Sequence, residues 1–142
     1  MSGLIKISEA ASMAIHALMI LAGTPDKYLT THEIAEFLKV SENHLSKVMM
    51  SLRRARLVKS VRGPGGGSSL ARPCEEITLR EIYEAMEGPM DSRGCLLNLP
   101  LCKGRRCKLG GFVQAAEKKF QEYLGKTRLC DLSHFFNPAE QG

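Results

Sequence analysis

The sequence predicts a mainly α-helical fold carrying one small β-hairpin, and three observations predict it. Apolar residues recur at helical spacing along most of the chain, for instance Leu45, Val48, Met49 and Leu52. Two short apolar runs, Leu57–Val61 and Ser69–Ala71, flank a tip rich in glycine, Gly63-Pro64-Gly65-Gly66-Gly67. Glycines supply the positive φ that a hairpin tip requires. From Ser41 to Arg72 the cations Lys47, Arg53, Arg54, Arg56, Lys59, Arg62 and Arg72 stand against one acid, Glu42. A local surplus of this size is the footprint of a surface that meets a polyanion.

In chain order, Ser8 is placed to cap a first helix through Ile15, Leu18, Met19 and Ala22, ended by Gly23-Thr24-Pro25. Thr30 and Glu33 form a capping box that opens a short helix with Ile34, Ala35 and Leu38 on one face. Lys39-Val40 makes a tight turn and Ser41 caps the next helix. Its buried stripe, Leu45 to Leu52, leaves Asn43, His44, Ser46, Lys47 and Arg54 largely outside. A short helix, a tight turn, a second helix with a polar start and then a basic hairpin make a winged helix-turn-helix. The second helix is expected to enter the major groove, with the hairpin on flanking backbone or minor groove. The expected DNA-contacting residues are Ser41, Asn43, His44, Lys47, Arg54, Lys59, Arg62, Gly63, Pro64 and Gly65, with Arg72 behind the hairpin.

Thr78 and Glu81 make a second capping box, and Leu79, Ile82, Tyr83 and Met86 share one side of a helix stopped by Gly88-Pro89. Residues 1–89 therefore form the winged unit. Residues 90–111, with Gly94, Pro100, Gly104, Gly110 and Gly111, read as an irregular cysteine-rich loop. Residues 112–126 regain helical periodicity in Phe112, Ala116, Phe120 and Tyr123 or Leu124, and residues 127–142 are a short terminal helix and tail. A long amphipathic helix beside a small DNA-binding unit seeks a partner helix. A homodimer on a palindromic double-stranded operator, with half-sites about 34 Å apart, follows.

The chain has 142 residues, with 20 Lys+Arg against 15 Asp+Glu, enough for one ordinary domain or a small one plus an extension. No apolar run approaches the roughly 20 residues of a membrane span. Met13–Ala22 lacks the flanks of a signal peptide, and a cytoplasmic protein without a membrane partner is expected. There is no phosphate-binding loop, nucleophile–base pair or useful carboxylate pair, so no enzyme is expected.

Three of the five cysteines, Cys95, Cys102 and Cys107, cluster in the loop among Arg93, Lys103, Arg105, Arg106 and Lys108. Those cations offset the charge of a thiolate-ligated metal centre. The donor set suits an iron–sulfur cluster, or Zn²⁺ completed by a histidine, while Cys95 and Cys102 alternatively form a metal-free thiol switch. Cys74 and Cys130 read as structural.

The stretch Ser41–Arg72, above all Leu57-Val58-Lys59-Ser60-Val61-Arg62-Gly63-Pro64-Gly65-Gly66-Gly67, resembles the IscR/NsrR-type family of winged-helix iron–sulfur transcription regulators. Ile77-Thr78-Leu79, Glu87-Gly88-Pro89 and Thr127-Arg128-Leu129-Cys130-Asp131-Leu132 extend the likeness over nearly the whole chain. The resemblance implies a homodimeric bacterial regulator. It places the helix that begins at Ser41 in the major groove, and Arg62-Gly63-Pro64 in the minor groove. It also implies a [2Fe–2S] or [4Fe–4S] cluster on Cys95, Cys102 and Cys107. The fourth ligand is not a cysteine and in some subfamilies comes from the partner's first helix; here His16 is the leading candidate, with Glu9 and Ser12 behind it. Departures are Ser68 where an aromatic residue is common, His16 where Arg is frequent, Ser12 where some members carry an acid, and uneven gaps of six and four residues between the thiols. The function implied is repression controlled by redox, nitric oxide or iron–sulfur status. A zinc-site or metal-free thiol-switch regulator of the same fold is the alternative.

Overall fold

A computed structural model describes residues 7–90 and 107–133. The first helix, α1 (Glu9–Gly23), is capped by the Ser8 hydroxyl, which accepts the Ala11 N–H at 3.0 Å. Its sequence is apolar almost all round, and such a helix must be covered on several sides. Accordingly Ala11, Ala14, Ala17, Leu18, Ile20 and Leu21 are all buried, and the rest of the molecule is assembled on this helix.

Two helices follow, α2 (Thr31–Leu38) and α3 (Glu42–Arg54). The expected capping box of α2 is complete, with Thr30 N–H donating to Glu33 at 2.7 Å and Glu33 N–H to the Thr30 hydroxyl at 3.1 Å. Lys39 turns the chain with φ 57°, and Ser41 then caps α3 by accepting the His44 N–H at 3.3 Å. The stripe Leu45, Val48, Met49 and Leu52 faces the core as its spacing requires.

Strands β1 (Val58–Val61) and β2 (Gly67–Leu70) pair antiparallel, with Val58 opposite Leu70 and Val61 opposite Gly67. The second strand starts two residues earlier than the expected Ser69–Ala71, because the Gly66 N–H donates to the Gly63 carbonyl at 2.9 Å and closes the turn sooner. Leu29 adds a third edge that the sequence did not reveal: Leu29 and Ser68 exchange backbone hydrogen bonds at 3.0 and 2.7 Å. A single residue leaves no alternation to detect, so only tertiary pairing could disclose it.

After a short 3₁₀ turn (Cys74–Glu76), α4 (Leu79–Glu87) packs on α1. Its capping box is half formed. Thr78 accepts the Glu81 N–H at 3.2 Å, but the Glu81 carboxylate turns to Arg72 at 2.5 Å. Gly88, at φ 84°, stops the helix as expected.

The long helix α5 (Lys108–Lys126) starts four residues before the expected Phe112. The reason is a cap invisible to glycine counting: the Cys107 sulfur accepts the Gly110 N–H at 3.2 Å, so both glycines fall inside the first turn. The final helix, α6 (Leu129–Ser133), buries Leu129 completely against the core. Among the described residues no helix is long and apolar enough to cross a membrane.

Candidate nucleic-acid interface and thiol site

The buried stripe of α3 forces the opposite face outward, so Ser41, Glu42, Asn43, Ser46, Lys47, Met50, Arg53 and Arg54 are exposed there. His44, expected outside the stripe, is half-buried. The wing follows directly, with Lys59, Arg62, Gly63, Pro64 and Gly65 all exposed. The two elements are tied together by the Arg53 guanidinium, which donates to the Ser60 hydroxyl at 3.3 Å. Ser60 in turn meets the Ser68 hydroxyl across the strands at 3.2 Å. Ser68, which stands where an aromatic residue is common in the family the sequence resembles, is buried. All ten expected DNA-contacting residues therefore lie on α3, at its cap, or on the wing.

Arg72 does not join them. Its guanidinium is paired with Glu81, which holds the base of the wing to α4. The single acid of the face, Glu42, is also engaged. His32 donates through Nδ1 to Glu42 at 3.0 Å and lies 3.2 Å from Glu36 through Nε2. The Glu42 hydrogen bond, then the charges of Glu36 and Glu42, raise the His32 pKa above its ordinary value of 6.5. In protonated form His32 offsets negative charge at the start of α3. His32 lies in the first turn of α2, and the approach of α2 to α3 brings it to Glu42.

The wing tip needs glycine at two positions on steric grounds. A Cβ on Gly66 would stand 2.3 Å from the Val61 carbonyl oxygen. One on Gly67, at φ 145°, would stand 2.5 Å from the Leu29 carbonyl. Gly63 and Gly65 have positive φ but open space around them, so the exposed tip keeps its backbone accessible.

The chain matches the family pattern Rrf2, described as iron-dependent transcriptional regulator, over residues 7–134. It belongs to the Rrf2 family. The protein aau3 of Rhizobium meliloti (strain 1021) is 32% identical over 131 residues, covering 89% of this chain and 84% of that protein. The HTH-type transcriptional regulator IscR of Cereibacter sphaeroides is 40% identical over 85 residues, 58% of this chain and 55% of that one. The putative HTH-type regulator BadM of Rhodopseudomonas palustris is matched over 53% of its length, so this chain spans about half of some curated relatives. Among solved structures, CymR (YrzC), the global cysteine regulator of B. subtilis, superposes with TM-score 0.78 at 27% identity, covering 94% of this chain and 99% of that one. T. potens IscR superposes with TM-score 0.72 at 28% identity, covering 91% and 86%. The mainly helical fold with its hairpin wing is thus that of Rrf2 transcription regulators, and the family, BadM, IscR and CymR are described as regulators rather than enzymes.

Cys95 and Cys102 lie outside the described residues. Cys107 is a free, exposed thiol at the start of α5. The three candidates for a fourth ligand fall together: Glu9, Ser12 and His16 line one cavity of about 250 Å³ with Met13, Leu38 and Val40. His16 is exposed, and its Nδ1 lies 2.7 Å from the Ser12 carbonyl. A carbonyl only accepts, so Nδ1 carries the proton and Nε2 of the neutral ring keeps its lone pair. That tautomer, oriented by a backbone carbonyl, is one of the two through which histidines ligate metals. Cys74 and Cys130, expected as structural, are joined in a disulfide; no spacing rule linked residues so distant in sequence.

Proposed function

We propose that this chain is a cytoplasmic, homodimeric transcription repressor that binds a palindromic operator in double-stranded DNA, under the control of an iron–sulfur cluster. The observation that carries the DNA-binding reading is the joint outward presentation of the α3 polar face and the cationic wing, locked together by Arg53 and Ser60. Asn43, His44 and Lys47 are assigned to base edges and phosphates of the major groove, with Ser41 at the cap. Arg54 and Lys59 are assigned to flanking phosphates, and Arg62, Gly63, Pro64 and Gly65 to the minor groove.

The partner is a second copy of the chain. Along α5, Leu109, Phe112 and Tyr123 are 63%, 73% and 63% exposed and share one stripe with Ala116, while Phe120 and Leu124 turn inward. Phe120 stacks edge-on with Tyr83 of α4 at 5.7 Å. The amphipathic stripe anticipated for this helix is thus divided between the domain and a partner helix. An apolar seam of this kind suits a symmetric helix pair.

The residues present fit a cluster. Cys95, Cys102 and Cys107 supply thiolates, Cys107 is exposed, and His16 offers Nε2 from α1, with Glu9 and Ser12 in the same cavity. When bound, such a cluster supplies a labile, redox- and nitric-oxide-sensitive link whose state biases the winged units by the about 1–3 kcal/mol that useful control requires. The same donors suit Zn²⁺, and without metal the loop thiols make a switch of the same fold.

The test is anaerobic purification followed by ultraviolet–visible absorption and analysis for iron, sulfide and zinc. A coloured protein with iron and sulfide is expected, losing both in Cys102→Ala while the fold is kept. A colourless, iron-free product overturns the cluster reading; stoichiometric zinc assigns the site to that metal instead. A gel shift with sheared genomic DNA, followed by site selection, is expected to recover a palindrome.

A further inference from the structure

We infer that Cys74 and Cys130 form a second, reversible redox site, separate from the thiol loop, that latches the base of the wing to the terminal helix. The regulatory part of this inference rests on the DNA-binding reading above. The two residues are 56 positions apart, yet their Cα atoms stand 5.1 Å apart, inside the range a disulfide requires. Cys74 opens the 3₁₀ turn three residues beyond Ala71, whose N–H donates to the Leu57 carbonyl at the wing base. Cys130 sits in α6, immediately after the long helix proposed to hold the dimer together. The bond therefore joins the DNA-contacting ribbon to the dimerising part of the chain.

What makes the site reversible is the scaffold around it. The Leu129 N–H donates to the Ile77 carbonyl at 2.8 Å, and the Leu79 N–H donates to the Thr127 carbonyl at 3.0 Å. Thr78 and Arg128 pair as an isolated bridge between them, and Leu129 is fully buried. These contacts do not involve sulfur, so they hold the two cysteines opposite each other after the bond opens. Reclosure is then intramolecular. Both cysteines are half-buried, open enough for small oxidants and thiols to reach. A peroxide closes the latch: two thiols and hydrogen peroxide give the disulfide and two waters, with two electrons passing from the sulfurs to the O–O bond that breaks. A dithiol reductant reopens it by thiol–disulfide exchange, leaving its own disulfide and two thiols on the protein.

The Glu75 carboxylate lies within 4.8 Å of both sulfurs, so a metal is the rival occupant of the reduced pair. The experiment uses the full chain, reduced with dithiothreitol and then exposed to hydrogen peroxide, with maleimide trapping and peptide mass mapping. A linked Cys74–Cys130 peptide pair is expected after peroxide and none after dithiothreitol. Oxidised protein should melt at least 5 °C higher and bind sheared genomic DNA at least threefold more tightly than reduced protein, both differences vanishing in Cys74→Ser and Cys130→Ser. Thiols that stay free under peroxide overturn the redox site. So does one zinc per reduced chain that is lost in Cys74→Ser. Equal DNA affinity in the two states overturns the latch. Absence of DNA binding in both states overturns the DNA-binding reading and the regulatory part with it, while the linked peptide still decides whether the redox site exists.

Discussion

Replacing Gly67 with alanine should collapse the wing while leaving the helices in place. At φ 145° an alanine is strained, and its Cβ would stand 2.5 Å from the Leu29 carbonyl and 2.9 Å from the Thr30 nitrogen. Both are backbone atoms and cannot swing aside, so Leu29 and β2 must separate. That breaks the paired hydrogen bonds of 3.0 and 2.7 Å between Leu29 and Ser68. Two backbone hydrogen bonds at about 0.5–1.5 kcal/mol each, with about 1–3 kcal/mol for the residue's backbone strain, give roughly 2–6 kcal/mol. With about 2.1 cal/mol/K of unfolding entropy per residue, the chain should lose at least ~7 °C in Tm. The control is Gly65→Ala, where φ is 74° but nothing lies within 4 Å; it should cost only about 1–2 kcal/mol. The assay is thermal unfolding followed by circular dichroism, with DNA binding measured in parallel. Equal melting of the two variants would refute the assignment of Leu29 as the wing's third edge.

Three other outcomes are expected. Arg62→Ala should weaken DNA binding and lower the slope of log affinity against log salt by about 1, as measured by fluorescence anisotropy across a salt series. His32 carries a raised pKa, so its contribution to the folded state is fully present below about pH 6.5 and is lost as pH rises through its higher folded value. Unfolding curves of wild type and His32→Gln should therefore differ at pH 6 and converge in the alkaline range; a constant offset would contradict the pairing with Glu42 and Glu36. Phe112→Glu and Tyr123→Glu should weaken self-association at least tenfold, about 1.4 kcal/mol, in sedimentation velocity without loss of helical signal, since both side chains are exposed within one chain.

Local rules were reliable wherever one stretch of backbone satisfies itself. The Thr30–Glu33 box, the Ser41 cap, the Lys39 turn and the Gly88 stop all formed as their spacing dictates. The expected DNA face was legible for the same reason: burying Leu45, Val48, Met49 and Leu52 compels the other side of the helix outward. Where a side chain had two available partners, spacing did not choose between them. Glu81 leaves its own cap for Arg72, so a cation counted toward the DNA face instead braces the base of the wing against α4 in a half-exposed pair. Helix α5 begins ahead of the expected Phe112 because the Cys107 sulfur supplies its cap, whereas two glycines ordinarily argue against a helix start.

By itself the sequence determined the helical order, the glycine-tipped hairpin, the concentration of cations on both, and the close spacing of Cys95, Cys102 and Cys107 along the chain. Each is a consequence of periodicity, backbone geometry or composition along a continuous stretch. Tertiary structure alone decided which faces of α5 are covered, that Leu29 extends the wing, that His32 reaches Glu42, and that Cys74 meets Cys130. Those contacts join residues far apart in the chain. Their free energy depends on how the helices pack around α1, and no local pattern encodes that arrangement.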